Sequence, residues 1–179
     1  MIDRIEGTKV NLRKLRRADA PILARNVNDA SIARFTFIPH PYKLDDAVTF
    51  IRRSHRLWRK GTAYHFGIED PANGEIVGCL GMESIMKKHR STEMGYWLNR
   101  RYRGKGIISE VVAIGLRIAF GELKLVRVQA HVMPKNAASI RVLEKNGFQR
   151  EGCMRKRLKH RGRWSDLYIY SILREEWKG

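Results

Sequence analysis

Cysteine is scarce. Cys79 and Cys153 are the only two in 179 residues. They lie far apart, with no CxxC spacing and no histidine pattern beside them, which leaves neither a disulfide framework nor a zinc site to organise the chain. HExxH is missing too, so no metal is expected, and the two thiols are expected free in a reducing cytoplasm. No apolar run is long enough to cross a bilayer. The N-terminal MIDRIEGTKVNLRKL carries acidic residues and lacks the apolar core of a signal peptide, so no membrane partner is expected. Repeats, low-complexity blocks and linkers are absent, and the length suits one domain over 1–179. Two nucleotide signatures are also missing: GxxxxGK[ST], and a Rossmann GxGxxG within a βαβ unit.

Acidic residues are the other shortage. Asp and Glu number 18 against 36 Lys and Arg, a formal net charge of +18. Such a field attracts anions: nucleic acid, phosphorylated cofactors or an acidic surface. Part of the charge is clustered, in RKLRR (13–17), RRSHRLWRK (52–60), KKHR (87–90) and RKRLKHRGR (155–163).

What is present alternates between two periods. TKVNLRKL (8–15) reads as a strand through Val10, Leu12 and Leu15. A helix follows with Asp19 and Pro21 at its start and Ile22, Leu23 and Val27 at helical spacing. After the breaker FIPHPY (37–42), residues 44–61 form a second helix closed by Gly61, with Ala47, Val48, Ile51, His55 and Trp58 in one stripe. The period then falls to two. TAYHFGIED (62–70), the turn PANG (71–74), EIVGCLGMESI (75–85) and STEMGYWLN (91–99) predict an antiparallel meander, in which His65 is a sheet residue, as His131 is further on. A helix from about 107 to Gly121 presents Ile107, Val111, Ile114 and Ile118. KLVRVQAHVM (124–133) alternates again. NAASIRVLEKNGF (136–148) is a short helix with Asn136 as cap and Asn146-Gly147 as stop. Two last strands meet at KHRG, with Tyr168 and Tyr170 packing the final one. The order β-α-α-β-β-β-α-β-α-β-β is that of an α+β domain, a mixed sheet flanked by helices.

The stretch NRRYRGKGII (99–108) joins a strand to a helix. The first N–H groups of a helix lack internal partners and carry its positive dipole end. Gly104 and Gly106 remove side chains, so backbone can lie against a bulky anion, while Arg101, Arg103 and Lys105 add charge. Arg101 to Gly106 fits R/Q-x-x-G-x-G/A. With EMGYWLNRRYRGKG (93–106), NAASIRVLEKNGF (136–148), GRWSDLYIYSILREEW (162–177) and the opening LRKLRRADAPIL, the chain resembles the GNAT acetyltransferase superfamily, in its branch of RimJ/RimL-like ribosomal-protein N-terminal acetyltransferases. The matching pieces lie in order over nearly the full length.

The resemblance implies the GNAT fold, mostly antiparallel, and acetyl-CoA as co-substrate. Backbone amides of Tyr102 to Gly106 would bind the CoA pyrophosphate, with Arg101 and Ile107 at either end. The strand 93–99 would end in a splay, where backbone at Trp97, Leu98 and Asn99 pairs with the pantetheine arm and the acetyl carbonyl. Asn136 would contact the pantetheine, and Ser139 would lie near the thioester sulfur. Some relatives place a tyrosine there as the thiol-side acid. This sequence has none at 140–148, which leaves Ser139.

Acetyl transfer needs a neutral amine, and a carboxylate, directly or through water, can take the amine proton. Glu93 is the acid just upstream of the splay, on one strand face with Gly95 and Trp97. A structural pairing of Glu93 with Arg90 or Lys88 is the alternative. The acceptor expected from the branch is a protein N-terminal α-amine, and the hairpin 155–163 is expected to dock the enzyme on ribosomal RNA or another polyanion. A small-molecule amine or amino acid, and a nucleic-acid-binding module on an inactive fold, stand as rivals. Monomer and homodimer both fit the sequence.

Overall fold

The computed structural model describes residues 3–179. Period-two runs fall into one eight-stranded sheet. Its strands are β1 (Arg4–Glu6), β2 (Asn11–Lys14), β3 (Tyr64–Glu69), β4 (Ile76–Met86), β5 (Ser91–Leu98), β6 (Arg127–Val132), β7 (Gln149–His160) and β8 (Arg163–Leu173). They lie side by side as β1-β2-β3-β4-β5-β6-β8-β7. Every neighbouring pair is antiparallel except β5–β6, which is parallel. The helices are α1 (Ala20–Val27), α2 (Ala30–Ala33), α3 (Leu44–Lys60), α4 (Ile107–Arg117) and α5 (Ala137–Lys145). This is the expected mixed, mostly antiparallel α+β architecture, with two additions. β1 has three residues and α2 four, too short for any periodicity to register; α2 forms where the Asp29 carboxylate accepts from the Ser31 amide at 2.8 Å.

Parity sorts the sheet's two faces. Odd residues of β3–β5, including Cys79 and Trp97, face α1 and α3, where Leu15, Leu23, Ala47 and Ile51 close a small core. Even residues such as Leu80 and Met94 face α4; at the start of β4 a bulge shifts the parity, so that Ile76 joins the small core and Val77 the larger one. Gly115 of that helix sits so close to Leu80 and Met94 that an added Cβ would lie 3.1 Å and 2.8 Å from them. Gly61 closes α3 in the left-handed conformation, φ +65°, as its position predicts.

Helix α4 departs from expectation. It ends at Arg117 and passes into a π turn over Ile118–Glu122, rather than running to a stop at Gly121. The left-handed residue is Lys124, at φ +53°. Its carbonyl accepts from Arg90 Nε at 2.8 Å and Nη2 at 2.5 Å, and β6 begins only at Arg127.

Asp19 does stand at the start of α1, as its sequence predicts, but its side chain serves a buried cluster rather than capping that helix. Arg13 donates bidentately to it, Nη1 and Nη2 each at 2.8 Å, and Arg13 Nε bonds the Glu69 carboxylate. All three are buried. Burial alone would push Asp19 up, but the Arg13 bonds and the Arg16 amide outweigh it and hold its carboxyl below the usual value. Replacing Arg13 by Met strands the Asp19 carboxylate, leaves Glu69 only its Arg4 partner, and is expected to cost about 3–5 kcal/mol in urea denaturation at neutral pH. A depressed carboxyl stabilises above its unfolded pKa and loses that contribution as pH falls through the folded value. The gap between wild type and variant should therefore narrow in acid. A loss below about 1 kcal/mol would place the cluster among ordinary surface pairs.

Candidate active site

The parallel pair β5–β6 is joined only at its start. Ser91, Thr92 and Glu93 pair with Arg127, Val128 and Gln129, and beyond Glu93 there is no pairing. Both strands nevertheless stay extended, because β4 holds β5 as far as Leu98 and β8 holds β6 as far as Val132. The sheet therefore opens into a wedge. Asn99 N–H donates to Val77 O at 2.9 Å. By the alternation of an antiparallel ladder, odd residues of β5 direct their backbone groups at β4, and Met94, Tyr96 and Leu98 direct theirs into the wedge. The splay sits where the sequence placed it, but it opens at Met94 rather than at the strand's end.

A hollow lies on each side. One, about 410 Å3, is bordered by Tyr102, Gly104, Gly106 and the first turn of α4. The other, about 590 Å3, is bordered by Glu83, Glu93, Gly95 and His131. Phe35, Thr36, Tyr96, Trp97, Asn136 and Ser139 line both, so the hollows meet at the wedge.

The glycine turn has the geometry its sequence demands. Gly104 is at φ +77° and Gly106 at φ +75°, where a side chain is strained. A Cβ on Gly104 would meet nothing within 4 Å, and one on Gly106 only the mobile tip of Lys9 at 2.9 Å. The space over the turn is thus open, and the residues present suit a bulky anion. The amides differ from expectation. Tyr102 N–H donates to Asn99 O at 3.0 Å and Arg103 N–H to Arg100 O at 3.2 Å. Arg101 N–H donates to Asn99 Oδ1 at 3.0 Å. These three amides are consumed in a short 3-10 turn, which leaves those of the glycines and of Ile107–Ser109, the first turn of α4, open beside the smaller hollow. Ile107 buries its side chain in the core. The Arg101 side chain is exposed.

Asn99 is likewise corrected. Its N–H goes to Val77, its carbonyl accepts from Tyr102, and its side-chain amide goes to Asn26, so its N–H donors are committed within the protein. The Leu98 carbonyl accepts from Arg103 Nε at 3.1 Å, while its N–H points into the wedge. Trp97 is on the odd face, packed against the core beneath α1 and α3. Asn136 caps α5 by accepting from Ser139 N–H at 3.3 Å, and it borders both hollows.

Glu93 pairs with neither Arg90 nor Lys88. Its Oε1 lies 2.9 Å from His131 Nδ1, a cross-strand partner that sequence reasoning assigned to the sheet alone. Tyr96 was missed altogether. Its hydroxyl is 2.8 Å from Ser139 Oγ, across the mouth of the wedge, and burial pushes it up to about 12. Strand parity was the available signal: Tyr96 shares the face of Met94, under α4 and α5. Among the described residues, no cluster of His, Cys, Asp and Glu is placed to hold a metal ion, and no helix is long and apolar enough to cross a membrane.

A wedge between parallel strands, with an anion turn on one side and a carboxylate on the other, defines a GNAT-type acyltransferase. The acetyltransferase (GNAT) domain family matches residues 9–149, and the chain belongs to that family. It is 32% identical over 171 residues to the uncharacterized N-acetyltransferase p20 of Bacillus licheniformis, covering 96% of both chains. It is 42% identical over 115 residues to the probable N-acetyltransferase YjcK of Bacillus subtilis, covering 64% of both. To the [ribosomal protein uS5]-alanine N-acetyltransferase of Escherichia coli it is 27% identical over 120 residues, 66% of this chain and 62% of that one. Among solved structures it resembles Mycobacterium smegmatis RimJ in complex with CoA-disulfide, at TM-score 0.88 and 28% identity, over 95% of this chain and 84% of that one.

Proposed function

We propose that this N-acetyltransferase moves the acetyl group of acetyl-CoA directly onto a protein N-terminal α-amine, with ribosomal proteins as the favoured class. The observation that carries the reading is the wedge itself, reached by the glycine turn from one side and by Glu93 from the other. The relative that acts on a ribosomal protein and the CoA-bound RimJ fold support it.

In this reading Gly104 to Ser109 hold the CoA pyrophosphate, with Arg103 and Lys105 adding charge. The pantetheine arm lies along the open edge of β5 as an extra strand would, beside Asn136. The Leu98 N–H, free in the wedge, is the candidate donor to the thioester oxygen; one such donor is typically worth about 3 kcal/mol in the transition state. The amine nitrogen attacks the carbonyl carbon and forms the C–N bond, Glu93 takes the N–H proton, and the C–S bond breaks. The departing sulfur then takes a proton to give CoA thiol. A tyrosine held at about 12 gives its proton up reluctantly to a thiolate of ordinary pKa, about 8.5. Tyr96 and Ser139 therefore act chiefly as hydrogen-bond donors to the developing thiolate, and the final proton comes from elsewhere. Because amine and thioester meet in one site, no covalent enzyme intermediate is required.

The β7–β8 hairpin carries Arg155, Lys156, Lys159, Arg161 and Arg163 exposed, and Arg157 borders the larger hollow. Cations there disfavour a polycationic acceptor and favour one presented beside a polyanion such as ribosomal RNA. Such a substrate implies a cytoplasmic enzyme.

The test is a peptide panel varied in its first two residues, incubated with acetyl-CoA and read by mass spectrometry. Acetylation of the α-amine, with internal lysines untouched, is the expected result. Acetylation of small amines but of no peptide would overturn the protein-substrate reading.

A further inference from the structure

The larger hollow contains more acid than the reaction needs. Glu83 on β4 and Glu93 on β5 are direct cross-strand partners, and their side chains are 44% and 37% exposed into the hollow they share. His65 on β3 bonds Glu83 from the outer side, and His131 Nδ1 on β6 lies 2.9 Å from Glu93 Oε1. Four titratable side chains, His65, Glu83, Glu93 and His131, thus run in a row over four neighbouring strands.

Like charges directly opposite in a sheet repel. Among the described residues neither carboxylate forms an ion pair with a lysine or arginine, although the chain carries 36 of them. The His65 hydrogen bond nevertheless holds the Glu83 carboxyl below the usual range, against the effect of burial. The backbone pins Glu83 as well. The β4–β5 register breaks after Glu83, Ser84 adopts φ +50°, and the buried Thr92 hydroxyl donates to the Glu83 carbonyl at 2.7 Å. Bulges of this kind re-aim side chains beside active sites.

The next odd pair along the strands is Gly81 opposite Gly95. Neither has a positive φ. A Cβ on Gly95 would meet nothing within 4 Å, and one on Gly81 nothing closer than 3.4 Å. The protein's own packing therefore does not require glycine at either position, and glycine weakens a strand interior. Its recurrent use there is close approach of another backbone or a ligand. His65, 4% exposed, borders the same hollow, and its Nδ1 has no hydrogen-bond partner.

We propose that Glu83 and Glu93 together seat the ammonium of the incoming acceptor, which releases one proton to solvent before the neutral amine attacks, and that Gly81 and Gly95 form a bare floor for the atoms beside it. Glu83 is then a specificity-determining residue, distinct from the base. The proposal rests on the amine-transfer reading above and narrows its acceptor. Two fixed negative charges repel an acceptor with its own carboxylate next to the amine. An N-terminal peptide residue, whose carboxyl is an amide, fits the row; a free amino acid does not.

The experiment compares wild type, Glu83→Gln and Gly95→Ala on the best peptide of the panel, with alanine and alanine amide as small probes. For both variants the acceptor KM is expected to rise at least tenfold, while the acetyl-CoA KM stays within twofold. Gly95→Ala should melt no lower than wild type. Wild type should prefer alanine amide to alanine, and Glu83→Gln should shrink that preference. An unchanged acceptor KM in both folded variants overturns the acceptor site and leaves amine transfer standing. If wild type acetylates no amine in the panel, both readings fall.

Discussion

Glu93→Gln is expected to lower kcat about 100-fold or more, the lower end of what a positioned base contributes, with acetyl-CoA affinity unchanged. The amide keeps the shape of the side chain and can still meet His131 Nδ1, which lies 2.9 Å from the carboxylate. It cannot take a proton from the attacking amine. Glu93 also sits on the odd face of β5, while the glycine turn opens from the α4 side, so the donor should bind as before. Steady-state kinetics at saturating acetyl-CoA with calorimetric titration of CoA separate the two quantities. A kcat within fivefold of wild type would reduce Glu93 to half of an ammonium seat, and deprotonation would then belong to solvent. A matched loss of CoA affinity would mean that the substitution had disturbed the wedge.

The second large effect belongs to the turn. Gly106→Val should weaken acetyl-CoA binding at least 100-fold. At φ +75° a β-branched residue is strained by about 1–2 kcal/mol, which a stable fold absorbs. The new side chain meets only the tip of Lys9 inside the protein, so it projects over the space a pyrophosphate would occupy and holds the backbone away. Calorimetry on the folded variant, its fold checked by circular dichroism, decides the matter. Wild-type affinity there would remove the 104–106 turn from the donor site.

Much of this architecture could be read before any coordinates. The meander β3–β5 follows from alternation, α3 from its stripe and Gly61, α5 from Asn136 and Asn146-Gly147, and the anion turn from two glycines behind a strand. These are local signals, and local physics decides them. What stayed hidden depends on register. That Glu93 meets His131, that Glu83 faces Glu93, and that Tyr96 touches Ser139 are facts about which residue of one strand lies beside which residue of another element. The partners are 38, 10 and 43 positions apart in the chain. Asn99 and the amides of Tyr102 and Arg103 misled for a related reason. A turn rich in ligand-like groups also needs hydrogen bonds of its own, and the 3-10 turn takes them first. Asp19 was legible as a helix start, but nothing nearby announces that Arg13 will be buried against it.

The wedge divides the two halves of the reaction between different stretches of chain. In the proposed reading the donor side is built from residues 104–109 on the α4 face, whereas Phe37, Ile38 and Tyr42 border only the larger hollow, assigned to the acceptor. For an enzyme working as proposed, descendants can rewrite the segment between α2 and α3 and change clientele without renegotiating the grip on the common acyl carrier. One scaffold can in this way serve many amines over evolutionary time, and a designer seeking a new acceptor should graft into 37–42 and leave the glycine turn alone.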